Sequence, residues 1–316
     1  MTVSDKIRNA IIQPINDGDL ALLPTKNVKD FVNLAASSHQ IASSHSRLDA
    51  WAEAVTRAAG DSVQLDQVGQ LLVALFKARR INDRQMARLM SNYLLEKDGL
   101  HGAPPHRKHA MFDPFGDAAT QGYLRNVEGL AASGMIKVQE HLFFSANLEQ
   151  ALAYLAAQRS RDISYATFLH VHKILFSDFY PWAGQDREAL GVGKHVTKGT
   201  RVQFEQSDLS RRAVEYGLRL ASDADTMRKK PGTVMGYFAW GHPFLDGNGR
   251  TMLLVHTELC RRAGFAIDWE RSAGNSYLEA LTAELSAPDK GILDKFFAPL
   301  ACALDDLQHP HYTLET

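Results

Sequence analysis

The chain has 316 residues, 45% of them hydrophobic and 22% charged, enough to bury a full core and unlike the make-up of a disordered tract. Lys and Arg number 35 against 36 Asp and Glu, so the net charge of −1 removes the general positive field that would make nucleic acid the default partner. Cys260 and Cys302 stand in no Cys/His spacing, which argues against a disulfide framework or zinc site, and no apolar run reaches the length of a signal-peptide core or a membrane span.

In chain order, the N-terminal third reads as helical. Leu48, Trp51, Ala52, Val55 and Ala59 recur at helical spacing and build one apolar stripe; Val68, Leu71, Leu72, Leu75 and Phe76 build a second. Asn82 or Asp83 is placed to cap a third helix carrying Met86, Leu89, Met90, Tyr93 and Leu94. Residues 1–97 are therefore expected to form a small bundle with a regulatory or docking role. Arg79, Arg80, Arg84 and Arg88 give it positive charge, but no helix-turn-helix signature accompanies them, so DNA is not an expected partner. The composition of 98–116 turns to Gly, Pro and His without helical period, which marks a linker. Its His101, His106 and His109 lack the carboxylate or cysteine partners of a metal spacing and read as parts of a polar connector.

Helical periodicity returns over 139–157, 165–176, 208–221, 233–240, 250–262 and 275–284, with a last helix near 291–303. The stretch from Thr251 to Leu259 is apolar around most of its circumference and should form a central helix. One interval, 188–204, breaks the habit: Gly191, Gly193 and Gly199 alternate with Val192, Val196, Thr200 and Val202, as in a short β-hairpin. The expected fold class is all-α with a hairpin over 117–303, followed by a tail at 304–316.

The chemistry concentrates in His242-Pro243-Phe244-Leu245-Asp246-Gly247-Asn248-Gly249-Arg250, which runs straight into the apolar helix. Such a junction gathers unpaired backbone N–H groups and the positive end of a helix dipole, and anions bind there. Gly247 and Gly249 let the backbone take positive φ and approach a phosphate closely, Arg250 can fork two donors onto phosphate oxygens, and the Asn248 amide adds a neutral donor. Asp246, the loop's single carboxylate, beside a phosphate seat calls for a cation between them, which suits magnesium. His242 can accept a proton near neutral pH and is the natural general base. Taken singly, each residue has a bland explanation as a turn or a structural side chain; their concentration within nine residues does not.

This stretch resembles the signature HPFx(D/E)GNGR of the Fic family at every defined position. Leu169 to Arg187 (LHVHKILFSDFYPWAGQDR) resembles the family's helix and Tyr-Pro-Trp-Ala-Gly turn, the following interval its hairpin flap, and Phe265 to Trp269 with Ser276 to Leu281 its closing region. The resemblance implies a core of about eight helices and a protein adenylyltransferase: His242 as base, Asp246 as Mg²⁺ ligand, and Gly247, Asn248, Gly249 and Arg250 as the cradle for ATP. It further implies a target protein bearing a Ser, Thr or Tyr hydroxyl, docked by β-augmentation along 189–204, and a toxin or effector role with an antitoxin or other regulatory protein as partner. Lys194, His195 and Lys198 read either as phosphate contacts or as solvated turn charges. The expected location is the cytosol, with delivery into another cell by a route needing no signal peptide also compatible.

Two departures stand out. Many members carry a second arginine three residues after the first, where this chain has Leu253, and an inhibitory helix of pattern (S/T)xxxE(G/N) whose glutamate pairs with it. Around Ser38 to Ser43 an alanine stands where the glutamate belongs, and Glu128-Gly129 lacks the upstream hydroxyl, since position 124 is Leu. The expectation is an enzyme not restrained by that glutamate. Removal of AMP, transfer of another phosphate-linked group, and nucleotide sensing without catalysis are the alternatives on the same fold.

Overall fold

A computed structural model describes residues 17–43, 45–99, 125–158, 161–192, 197–198, 202–272, 276–288 and 290–306. His101, His106, His109 and almost all of the linker lie outside these, as do Lys194 and His195.

Among the described residues four α-helices, not three, make the N-terminal part: α1 (Val28–Ser38), α2 (Arg47–Ala58), α3 (Gln67–Lys77) and α4 (Asp83–Lys97). Helix α1 escaped the periodicity because its buried stripe is short and half alanine: Val28, Val32, Ala35 and Ala36. The starts of α2 and α4 are fixed by capping boxes, Ser46 with Asp49 and Asn82 with Gln85, so the expected cap at Asn82 is present. Helix α5 (Ser133–Ala157) begins well before the periodic stretch. Its Gln139, Glu140 and His141 are buried, so the helix is enclosed on most sides and its first half shows no amphipathic pattern.

Helices α6 (Tyr165–Phe176), α7 (Ser207–Ala221), α8 (Ala224–Lys229), α9 (Pro231–Gly241), α10 (Asn248–Arg262), α11 (Ser276–Ser286) and α12 (Ile292–Phe297) complete the core with α5, eight helices among the described residues. Between α6 and α7, β1 (Thr197–Lys198) pairs antiparallel with β2 (Val202–Gln203), Thr197 opposite Gln203, which forms the expected hairpin in shortened form. The last helix stops at Phe297. Pro299 lies in a 3₁₀ turn there, and β4 (Ala301–Cys302) instead pairs with β3 (Ala266–Ile267). Of α10, twelve residues are buried, the central helix its composition requires. Trp51, Val55 and Leu72 from the N-terminal helices belong to the same buried cluster as Phe143, Phe176 and Leu254, so one core runs through both parts. No helix among the described residues is long and apolar enough to cross a membrane.

Candidate active site

Helix α9 ends at Gly241, and His242 caps it in the left-handed region at φ 41°. Left-handed backbone is uncommon for a residue with a Cβ and persists only where surroundings over-determine it. Those surroundings are identifiable. Arg187, on the turn after α6, donates from Nε to the His242 carbonyl at 2.7 Å, and the Phe204 ring lies flat on the imidazole, centroids 3.7 Å apart. On the other side Asn248 closes the loop: its Oδ1 accepts from the Phe244 N–H at 2.9 Å, and its Nδ2 donates to the Phe244 carbonyl at 2.7 Å and faces His242 Nε2 at 3.2 Å. Because Nδ2 can only donate, Nε2 accepts, and the neutral imidazole carries its hydrogen on Nδ1.

The carboxylate side of the loop is held from beneath. The Gly184 N–H donates to His172 Nδ1 at 2.9 Å, so the hydrogen of His172 sits on Nε2, which donates to the Asp246 carbonyl at 3.0 Å. Burial pushes His172 down to about 3, so it stays neutral, and its ring stacks on Phe244 at 3.8 Å. Asp246 Oδ1 accepts from the Gly247 N–H at 2.7 Å, and desolvation raises the carboxyl above its ordinary value. Gly247 takes φ 73°, and a Cβ there would sit 2.6 Å from the Phe176 ring and 3.1 Å from His172 Nε2. Gly247→Ala is therefore expected to cost roughly 1–2 kcal/mol in backbone strain before any clash, read as a lower melting temperature together with weakened ATP binding.

Helix α10 then begins with no side chain capping it. The N–H groups of Asn248, Gly249 and Arg250 are its first-turn donors and find no partner among the described residues. Unpaired first-turn donors of this kind, at the positive end of a helix dipole, can receive an anion.

Two side chains and one backbone position lie otherwise than expected. The Asn248 amide does not face outward as a phosphate donor, because Phe244 and His242 engage it. Gly249 is helical rather than at positive φ; it is glycine because α2's end packs on it, a Cβ there falling 2.7 Å from that of Ala59. The Arg250 side chain does not fork toward the seat but runs back under the loop, 2% exposed, its Nη2 donating to Asp61 Oδ2 at 2.6 Å and Glu140 Oε2 at 3.3 Å. Lys137 also pairs with Asp61, and the guanidinium lies over Phe144 and Phe176. Its Nε and Nη1 are buried without partners among the described residues.

At the two places that carry part of the inhibitory pattern, position 42 is alanine and Glu128 is taken by Arg88 at 2.6 Å. Leu253 is fully buried in the core and does not face the site. The acid opposite Arg250 comes instead from Asp61, just past α2, and from Glu140 on α5.

Desolvation, reinforced by the Asp246 charge, pushes Glu140 up to about 8. A carboxyl with a folded value above its unfolded one binds its proton more tightly when folded, so its contribution to stability falls as pH rises from about 4.5 toward about 8. The melting temperature is expected to decline between pH 5 and pH 8. Glu140→Gln should flatten that decline, as thermal melts across the range will show.

His242, Asn248 and Gly249 open onto a cavity of about 780 Å³ whose other walls are Ala58 to Gly60 at the end of α2, Val202 and Phe204 of the flap, and Leu278, Leu281 and Leu285 of α11. That is nucleotide-sized. Helix α2 as a wall, Asp61, Glu140, His172 and Phe204 were not legible as site residues; the GQDR ending at Arg187 was visible only as part of the family-like turn.

Residues 162–260 match the model of the Fic/DOC family. That segment is similar to the Fic domain. Among curated relatives it is 29% identical over 163 residues to protein adenylyltransferase VbhT of Bartonella schoenbuchensis, covering 50% of this chain but 33% of that protein. It is 26% identical over 184 residues to the probable protein adenylyltransferase y4lH of Sinorhizobium fredii, covering 57% of this chain and 92% of that one. The chain thus spans about a third of VbhT. The N-terminal FIC domain of Bep8 from Bartonella sp. 1-1C is among similar solved structures, at a TM-score of 0.48 and 13% identity, covering 67% of this chain and 96% of Bep8's. The family match spans α6, the hairpin and α7 to α9, and runs through the motif loop into α10, so the Fic segment contains every loop residue from His242 to Arg250.

Proposed function

We propose that this protein transfers AMP from Mg-ATP to a Ser, Thr or Tyr hydroxyl of a target protein. The observation that carries the proposal is the convergence, within one nine-residue loop, of an imidazole, a carboxylate and the uncapped start of helix α10. The two curated relatives named for this activity support it.

The N–H groups of Asn248, Gly249 and Arg250 would hold the phosphates, aided by the helix dipole. The target hydroxyl attacks the α-phosphorus while its proton passes to Nε2 of His242, the nitrogen that carries the lone pair in the tautomer set by Asn248, which the hydroxyl would replace as donor. The O–P bond to AMP forms, the bond to the β-phosphate oxygen breaks, and pyrophosphate leaves. Positioning and charge stabilisation supply the rate. The donor set fits magnesium: Asp246 is the loop's single carboxylate, desolvated and with Oδ1 on the Gly247 amide, and a hard cation bound through one or two carboxylates plus phosphates needs no larger protein cage. Bound magnesium would neutralise phosphate charge. The hairpin would hold the target's backbone beside Phe204, and the reaction would run in the cytosol of its own cell or of one it is delivered into.

The test is incubation with lysate and ATP labelled at either the α- or the γ-phosphate. Protein labelled only by α-labelled ATP, with pyrophosphate released, is the expected outcome. ATP binding without protein label would favour a nucleotide sensor, the reading that Leu253 in place of a second arginine supports. Loss of label from previously modified protein would favour AMP removal.

A further inference from the structure

Arg187 is fully buried, and a guanidinium in that position is costly unless its donors are met. Besides Nε on the His242 carbonyl, its Nη2 donates to the carbonyls of Glu205 at 2.9 Å and Gly241 at 3.2 Å, and its backbone N–H donates to Pro243 at 2.8 Å. Nη1 meets no partner among the described residues. A buried cation with an idle donor is a poor device for stability alone, since an apolar side chain of similar volume stabilises as well or better.

What Arg187 joins is informative. Gly241 and His242 end helix α9, whereas Glu205 follows Phe204 at the end of the flap, and those segments meet where the Phe204 ring covers the imidazole at an interplanar angle of 9°. Trp240 ties the same point: the Glu205 N–H donates to its carbonyl at 3.0 Å, and its Nε1 donates to Glu205 Oε2 at 2.9 Å. Shifting either segment by a fraction of a residue would break these bonds together.

We propose that Arg187 is a positioning residue for the transfer step: by gathering the carbonyls of Gly241, His242 and Glu205 onto one guanidinium, it sets the register between the flap that presents the target hydroxyl and the imidazole that deprotonates it. This rests on the adenylyl-transfer reading above. The requirement is geometric rather than electrostatic, so lysine, which keeps the charge but lacks the planar fork, cannot replace it.

In Arg187→Lys the rate of protein labelling from α-labelled ATP, at saturating ATP, is expected to fall on the order of 10²-fold, with the half-saturating ATP concentration within about twofold of wild type. A residue that merely supported the fold would lower rate and ATP-binding capacity together, leaving the rate per bound ATP unchanged; that result, or a wild-type rate, overturns the inference. Should Arg187→Lys not fold, Trp240→Phe decides: it removes one bond from the same tie without disturbing a buried charge. It should cost about fivefold in rate at unchanged ATP half-saturation and shift the ¹⁵N resonances of the His242 ring, while unaltered rate and ring resonances overturn the inference. If wild-type protein labels nothing, the transfer reading fails first; a wild type that labels beside an equally active Arg187→Lys refutes the positioning role alone.

Discussion

His242→Ala is expected to lower protein labelling from α-labelled ATP by on the order of 10²- to 10⁴-fold, the usual worth of a positioned general base, while ATP affinity by calorimetry stays within about twofold. The separation follows from where the ring sits. It stacks on Phe204 and faces Asn248 Nδ2, whereas the proposed phosphate seat is made of backbone N–H groups at the start of α10. Removing the ring leaves Asn248 both of its bonds to Phe244, so the loop should keep its shape. An equal loss of binding and rate would instead make the imidazole part of the phosphate seat.

Arg250→Ala is expected to act first on stability. The side chain is 2% exposed and is the countercharge for Asp61, itself 13% exposed, with the carboxyl of Glu140, 1% exposed, bonded beside them. Deleting one partner of a buried ion pair leaves the others uncompensated, at a cost of about 3–5 kcal/mol, which for a chain of this size means a melting temperature lower by on the order of 10 °C. Arg250→Met combined with Asp61→Asn and Glu140→Leu removes the charges together and should recover most of the loss. If the single variant melts like wild type, the buried cluster is not what holds the loop's underside.

Truncation of residues 1–97 follows the same logic. It strips Trp51 and Val55 from the shared core, uncovers Gly249 and removes Asp61 from Arg250. The expected product is insoluble or molten, lacking a cooperative thermal transition, rather than an enzyme released from restraint.

The reach of the sequence in this protein follows contact distance along the chain. The nine-residue loop was legible because imidazole, carboxylate and helix start are chain neighbours, and local propensity with capping chemistry located α2, α4 and α6 closely. What it could not show is who holds those groups. Asp61 reaches Arg250 across 189 positions, Glu140 across 110, His172 reaches the Asp246 carbonyl across 74, and Arg187 reaches the His242 carbonyl across 55; no periodicity encodes such pairings. That distance also explains the misreading of Arg250, whereas Asn248 is engaged within its own loop. In isolation an amide and a guanidinium beside a phosphate seat read as its donors, but Phe244 and two acids from elsewhere in the chain had claims on them. Gly249 shows the same thing in reverse: its lack of a side chain looked like backbone freedom and is space for Ala59.

If the first turn of α10 seats the phosphates of ATP, as proposed, the backbone amide resonances of Asn248, Gly249 and Arg250 will report it in ¹⁵N-labelled protein titrated with Mg-ATP. These should move together, downfield and saturably, at the concentration at which ATP binds by calorimetry, and do so equally in His242→Ala. ATP that binds while these three resonances stay in place would mean that its phosphates are held elsewhere.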